Sequence, residues 1–338
     1  MSDLADFTAR LQLGASLSQD EMSTAVLAMM EGRCNDDSIA QFLLTLRAKG
    51  ESVDEVAGAA AAMRRHMQPI RSQRSNLLDT CGTGGDGSQT FNISTATALV
   101  TAAAGQPVAK HGNRSMSSRS GSADVLRELG VNVEATREQV ERSLDELGIC
   151  FCYAPMLHPS MRHVSAVRRS LGVPTIFNLL GPLCNPAGAP YQLLGVGRTG
   201  VRLLIAEALQ RLGTRRAVVV CGTDGLDEVT LAADTLVSEV TSSGRQEIVW
   251  NPAQFGFAMQ SLESLKVDGP EQSAAMIRGV LSGEPGPARD IVLINAAAAL
   301  LTTGHSTDRA EAVAAVADAV DSGAARRLLG ELARLSQG

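Results

Sequence analysis

The segment Gly82-Thr83-Gly84-Gly85-Asp86-Gly87 puts four glycines into one short loop, after an apolar run and ahead of a stretch of helical composition from about Ile93 to Ala104. Backbone N–H groups in such a loop can converge on the oxygens of an anion at a helix N-terminus, and glycine lets the chain approach those oxygens closely. The string also satisfies the dinucleotide pattern G-x-G-x-x-G. The acidic ribose ligand expected about 20 residues further on is missing, however, and Lys110 stands near that place. A cation there favours a phosphate; a glycine-rich turn without a ligand is the plainer alternative. Asn92-Ile93-Ser94-Thr95 opens the following helix and offers an amide and two hydroxyls beside the positive end of its dipole, although simple N-capping would account for them alone.

A second cluster, from Lys110 to Ser122, follows another apolar run and combines three cations, five serines and two glycines. Its opening Lys110-His111-Gly112-Asn113-Arg114 falls at a strand end, where α/β sheets place ligand groups. A solvated serine-rich linker, with His111 as a structural histidine, is the rival reading. Asp227-Glu228 offers adjacent carboxylates after the turn Gly222-Thr223-Asp224-Gly225. Hard oxygen donors of this kind suit Mg²⁺, which bridges one or two carboxylates to substrate phosphates; without a phosphate site they would be an acidic turn. The stretches Tyr153–Pro159 and Arg162–Arg169 mix apolar surface with cations, a combination able to receive an aromatic acid. Arg168 and Arg169 could equally form a solvated helix face, with His158 and His163 as partly buried polar residues.

The elements that must hold these groups are legible in outline. Residues 1–70 read as helices, with capping boxes at Ser18-x-x-Glu21 and Ser52-x-x-Glu55 and stops at Gly14, Gly32 and Gly50. From Leu77 onward, short apolar runs alternate with helical stretches: Leu77–Thr80, Pro107–Lys110, Gln192–Val196 and Ala217–Cys221. That alternation predicts an α/β fold whose central, mostly parallel sheet is flanked by helices. Met161–Leu180 reads as helical and is expected to pack back on the N-terminal helices. Ala288–Thr303 and Arg309–Val320 read as helices near the end.

Over 338 residues, 44% hydrophobic residues but only 3% aromatics predict a large, mainly aliphatic core. A net charge of −6 argues against a nucleic-acid binder, which needs a broad positive surface. The six cysteines lack C-x-x-C or zinc-ligand spacing and read as reduced thiols. Asp3 and Asp6 precede no basic and apolar leader, so a cytoplasmic chain is expected. The uncharged stretch between Asp86 and Lys110 is punctuated by Ser, Thr, Asn and Gln, and reads as a loop entering a buried helix rather than a membrane span.

Taken in order, Gly82–Gly87, Asn92–Thr95, Lys110–Arg114, Thr175–Pro186 and Gly225–Glu228 make the chain resemble the anthranilate phosphoribosyltransferase family of tryptophan biosynthesis over nearly its whole length. The resemblance implies a small helical domain, residues 1–70 with a returning segment near 160–185, and an α/β catalytic domain over 71–338. It also implies a homodimer assembled through the small domains, with neither nucleic acid nor membrane as partner. Transfer of the phosphoribosyl group of 5-phosphoribosyl 1-diphosphate to the amine of anthranilate is the implied reaction. Gly82, Gly85, Asp86, Thr90, Asn92, Ile93, Ser94 and Thr95 would then contact the diphosphate substrate. So would Lys110, His111, Gly112, Asn113, Arg114, Ser115, Met116, Ser117, Ser118 and Ser122. Ser94, Asp227 and Glu228 would serve Mg²⁺, with Lys110, Asp227 and Glu228 carrying the chemistry. Gly82, Asn113 and Arg168 would contact anthranilate.

The chain departs from the family where Pro174 replaces a frequent basic residue and Ser165-Ala166 a Met-Pro pair, which affects the outer route for anthranilate. Two other readings have signs of their own. A pyrimidine nucleoside phosphorylase would carry Lys-His-Ser in its first glycine loop, which is absent here. A catalytically silent, nucleic-acid-binding paralogue would show a positive surface and broken motifs.

Overall fold

Side-chain caps and glycines delimit the first helices. In the computed structural model, which describes residues 4–115 and 119–338, the N-terminal region folds into α1 (Ala5–Gln12), α2 (Gln19–Met30), α3 (Asp36–Lys49) and α4 (Val53–His66). Ser18 and Ser52 each accept a hydrogen bond from the N3 amide while the Glu21 and Glu55 carboxylates accept one from the amides of Ser18 and Ser52, as the capping boxes foretell. Glu55 reaches further: its Oε1 accepts from the Leu17 amide at 2.9 Å and its Oε2 pairs with Lys49 at 2.9 Å, which ties α3 and α4 to the start of α2.

The α/β part then runs β1 (Leu78–Gly82), α5 (Ile93–Ala103), β2 (Val108–Gly112), α6 (Ser122–Glu128), α7 (Arg137–Leu147), β3 (Ile149–Tyr153), α8 (Ala154–Leu157), α9 (Arg162–Leu171), α10 (Phe177–Leu180) and β4 (Tyr191–Gly195). It continues with α11 (Thr199–Arg211), β5 (Arg216–Gly222), β6 (Thr235–Thr241), β7 (Gly244–Trp250), α12 (Pro270–Leu281), α13 (Pro287–Thr303), α14 (Arg309–Asp321) and α15 (Ala324–Gln337).

One seven-stranded sheet results, in the order β3-β2-β1-β4-β5-β6-β7, parallel from β3 to β5 and antiparallel through β6 and β7. The four strands expected from the sequence appear as β1, β2, β4 and β5. β3 and the β6–β7 hairpin are additions that the sequence reading lacks. β1 lies between β2 and β4, so successive crossovers leave it in opposite directions. A crevice outside the strands' C-terminal ends belongs at such a reversal.

Helices of mainly Ala, Val, Leu and Ile cover the sheet. α5 is buried along almost its whole length and α13 from Ile291 to Leu300, so the uncharged stretch is a core helix, and no helix among the described residues is long and apolar enough to cross a membrane. On the other face Leu194, Val219 and Ile205 share a core with the four N-terminal helices and with Val164, Val167, Phe177 and Leu180. The segment expected to be helical from Met161 to Leu180 does pack back on those helices. It is two helices rather than one: Gly172, with a left-handed φ of 63°, ends α9, and α10 begins five residues later.

Candidate active site

Glycine at the sheet's C-terminal edge decides what can lie there. A Cβ on Gly195, at the end of β4, would sit 1.6 Å from the carbonyl oxygen of Asp227, and a Cβ on Gly82, at the end of β1, would sit 2.8 Å from Asp227 Oδ2. Only because both positions lack side chains can the loop carrying Asp227 and Glu228 lie directly over the edge, against the glycine-rich loop. At the end of β2, Gly112 leaves room for the Ser122 hydroxyl, which a Cβ would meet at 2.1 Å. Asp124 Oδ2 accepts from the amides of Ser115 and Gly121, both at 3.0 Å, and closes the loop after β2 onto α6.

These loops surround a cleft of about 340 Å³. Gly82, Gly85, Asp86, Thr90, Asn92, Ile93 and Ser94 line it from the first loop; Lys110, His111, Gly112, Asn113, Arg114, Ser115 and Ser122 line it from the second. Asp227, Glu228 and Arg168 complete the expected set. Thr95 does not reach the wall: it is buried in the first turn of α5, its amide donating to the Asn92 carbonyl at 3.1 Å. Met116, Ser117 and Ser118 lie outside the described residues. Phe177, Asn178, Gly181 and Pro182, which the sequence reading quotes only as part of a longer motif, also line the cleft. Neither Pro174 nor Ser165-Ala166 is on its wall.

Several polar side chains are already committed. The Asn92 amide donates to the Ser120 carbonyl at 3.0 Å and accepts from the hydroxyls of Ser120 and Ser273, both at 2.7 Å, so it pins the two loops to α12. Arg114 pairs with Glu134 at 3.1 Å. Lys110 is 3% exposed; its ammonium donates to the Thr80 carbonyl at 2.6 Å and to Ser94 Oγ at 3.3 Å beneath the glycine loop. Burial lowers its pKa, opposed by the charges of Asp79 and Glu228.

His111 is both a wall residue and a satisfied structural one. Its Nδ1 lies 3.0 Å from the Gly181 carbonyl and its Nε2 lies 3.2 Å from His158 Nε2. A carbonyl can only accept, so His111 carries its proton on Nδ1 and receives one from His158 at Nε2. Burial, with His158 second, lowers the His111 pKa to about 3, and burial lowers that of His158 to about 4. Both rings are neutral at pH 7.

The carboxylates are crowded. The Asp227 amide lies 3.4 Å from Asp86 Oδ2. Burial first, then the Asp86 charge, raises the Asp227 carboxyl to about 7; burial and Asp227 push Glu228 well above its ordinary value. Among the described residues no three His, Cys, Asp or Glu side chains converge as a ready-made metal site. Two adjacent carboxylates near a serine hydroxyl and an anion-cradling loop fit Mg²⁺ nonetheless, because that ion takes few protein oxygens and completes its shell with phosphates and water. Arg168, also on the wall, makes no hydrogen bond or ion pair with the described residues, and burial lowers its pKa. Arg169 is exposed and off the wall. The arrangement thus offers phosphate oxygens a backbone cradle, a divalent cation a pair of carboxylates, and a small acid a guanidinium, all in one cleft.

Known proteins resemble this chain over most of its length. The helical bundle domain of the glycosyl transferase family matches residues 5–67, and the a/b domain of the same family matches 74–326. The anthranilate phosphoribosyltransferase of Rhodopirellula baltica is 50% identical over 95% of this chain and 94% of its own; that of Stenotrophomonas maltophilia is 49% identical over 92% and 91%. The crystal structure of the Thermus thermophilus enzyme superposes with a TM-score of 0.92 at 42% identity, covering all of both chains. The Saccharomyces cerevisiae enzyme, in complex with PRPP (5-phosphoribosyl 1-diphosphate) and Mg, gives 0.91 at 28% identity over 99% of this chain and 98% of that one. This chain belongs to the anthranilate phosphoribosyltransferase family.

Proposed function

We infer that this chain transfers the 5-phosphoribosyl group of 5-phosphoribosyl 1-diphosphate to the amine of anthranilate, in tryptophan biosynthesis. One observation carries the reading: a glycine-rich anion cradle, a carboxylate pair and a guanidinium that has no counter-ion among the described residues line a single cleft. The yeast relatives solved with PRPP and Mg and with 4-fluoroanthranilate support the same pair of substrates.

The diphosphate rests on the backbone of Gly82–Gly87 and on the loop after β2. Lys110 supplies a fixed cation beneath it. Asp227 and Glu228, with Ser94, hold Mg²⁺, which when bound neutralises charge on the departing diphosphate. Arg168 and Asn113 take the anthranilate carboxylate, with Gly82 at the junction of the two substrates. The aniline nitrogen is neutral at pH 7 and carries its own lone pair. It forms the new bond to ribose C1 as the C1–oxygen bond breaks; the electron pair leaves with diphosphate and the extra amine proton passes to solvent. Catalysis is therefore mainly positioning together with stabilisation of the leaving group, and needs no covalent enzyme intermediate.

We divide the chain into a helical domain, 1–70 with the returning segment near 160–185, and a catalytic domain, 71–338. A homodimer forms through the helical domain, where Leu11 and Leu44 line a groove between α1 and α3 and Leu13, next in the chain to Gln12 and Gly14 of that groove, is 87% exposed. Its five buried free thiols, Cys81, Cys150, Cys152, Cys184 and Cys221, suit the reducing cytoplasm.

Mixing the purified chain with anthranilate, 5-phosphoribosyl 1-diphosphate and Mg²⁺ tests the reading. Anthranilate fluorescence should fall with one diphosphate released per anthranilate consumed. Unchanged fluorescence, or phosphate-dependent cleavage of a pyrimidine nucleoside instead, would overturn it.

A further inference from the structure

Arg168 is a long side chain that pairs with no carboxylate among the described residues, although Asp86, Asp227 and Glu228 line the same cleft. It sits in the last turn of α9, and its pKa is lowered by burial alone. A guanidinium left so would sample several rotamers, and an incoming acid would have to order it at an entropic cost. One group does meet it: the ring of Phe177, whose centroid lies 5.4 Å from Arg168 Cζ.

That ring is itself fixed. Phe177 opens α10, is 5% exposed, and belongs to the core formed with Val164, Val167 and the N-terminal helices. It also reaches the cleft wall beside Arg168. An aromatic face attracts a guanidinium, and the attraction grows when both are withdrawn from water. The donors of a guanidinium lie in its own plane, so a guanidinium stacked over a ring face keeps its N–H fork for a planar acid. The break between α9 and α10 is what lets the two side chains meet.

We propose that Phe177 is a positioning residue for anthranilate, holding the Arg168 guanidinium ready for the substrate carboxylate through a cation–π contact. The proposal rests on the assignment of Arg168 to that carboxylate.

The test replaces Phe177 by phenylalanines carrying one, three and five ring fluorines. This weakens the negative face of the ring at nearly constant size and keeps the core filled. The KM for anthranilate should climb stepwise, to about fivefold with five fluorines, while kcat and the KM for 5-phosphoribosyl 1-diphosphate stay within about twofold. In an Arg168→Gln background the same series should be flat. Phe177→Leu should raise the same KM by a similar factor, whereas a purely structural role would lower the unfolding temperature and disturb both substrates together. A flat fluorine series beside an Arg168→Gln variant that does raise the KM overturns the role of Phe177 and leaves the carboxylate assignment standing. An Arg168→Gln variant with unchanged KM for anthranilate overturns both.

Discussion

Gly82→Ala should disable the enzyme without unfolding it. Gly82 has no left-handed φ, so alanine meets no backbone strain there. The new methyl carbon would lie 2.8 Å from Asp227 Oδ2 and 3.4 Å from its Cγ. Ordinary contact needs roughly 0.5 Å more than the shorter of these. Asp227 has little space to retreat, because its carbonyl already fills the place of a Gly195 side chain and its amide faces Asp86. Since a misplacement of about 1 Å in a catalytic constellation can cost on the order of a hundredfold, half that distance should cost roughly tenfold in kcat. Initial rates over a Mg²⁺ titration should show that loss together with a raised half-saturation for Mg²⁺. The unfolding temperature should move by about 4 °C or less, as expected for ~1 kcal/mol of strain in a chain of this size. Combined with Asp227→Ala, Gly82→Ala should cost nothing further. Wild-type kcat and Mg²⁺ dependence in Gly82→Ala, or full additivity with Asp227→Ala, would refute the claim that the glycine exists to admit that carboxylate.

Asp227→Asn with Glu228→Gln should suppress turnover at any Mg²⁺ concentration, and full activity of that variant in chelator would remove the metal assignment. Lys110→Met should raise the KM for 5-phosphoribosyl 1-diphosphate, because a buried cation beside the anion cradle is lost at similar side-chain length; unchanged kinetics for that substrate would count against it. Arg168→Ala should raise the KM for anthranilate at least about tenfold, or ~1.4 kcal/mol, whereas exposed Arg169→Ala should do little; equal effects would mean that the wrong arginine is assigned. The buried histidines make stability depend on pH with a definite sign. Their folded pKa values, about 3 for His111 and about 4 for His158, lie below the unfolded value. Their contribution is therefore complete above about pH 6.5 and lost as pH falls, by about 2 kcal/mol per histidine at pH 5. Asp227, raised to about 7, pulls the other way, so the measurement is urea unfolding at pH 7 and 5 for wild type minus His158→Gln. No difference in pH slope between the two would contradict the buried, neutral pair.

Much of the fold and of the site is legible in the sequence. Loops whose chemistry depends on backbone, such as Gly82–Gly87, announce themselves through glycine, and the capping boxes at Ser18 and Ser52 fix helix starts by local hydrogen bonds alone. The strands β1, β2, β4 and β5 are short aliphatic runs between helical stretches, as buried parallel strands should be. β7 escaped because it is a largely exposed edge, Gly244-Arg245-Gln246-Glu247, with little apolar pattern. β3 is no shorter than β1, β2 or β4, but it is wedged between the Gly148 stop and α8, which begins at Ala154, so no turn marks its end. Apart from the return of Met161–Leu180 to the first helices, the individual side-chain contacts between distant segments were beyond local reasoning. Nothing in the order of residues says that His158 donates to His111, that Asn92 is used up in holding Ser120 and Ser273, or that Phe177 meets Arg168 across a helix break. The last depends on the returning segment packing against the first four helices, and the Asn92 contacts on α12 lying beside both loops.

The most direct test of the whole account is a crystal structure of the full chain with 5-phosphoribosyl 1-diphosphate, Mn²⁺ in place of Mg²⁺, and benzoate, which has the ring and carboxylate of anthranilate but no nucleophile. The account requires the diphosphate on the Gly82–Gly87 backbone with Lys110 beneath it, anomalous density for Mn²⁺ at Asp227 and Glu228, and the benzoate carboxylate on Arg168 with its ring directed toward ribose C1. Diphosphate bound away from the glycine loop, or benzoate bound without Arg168, would contradict it.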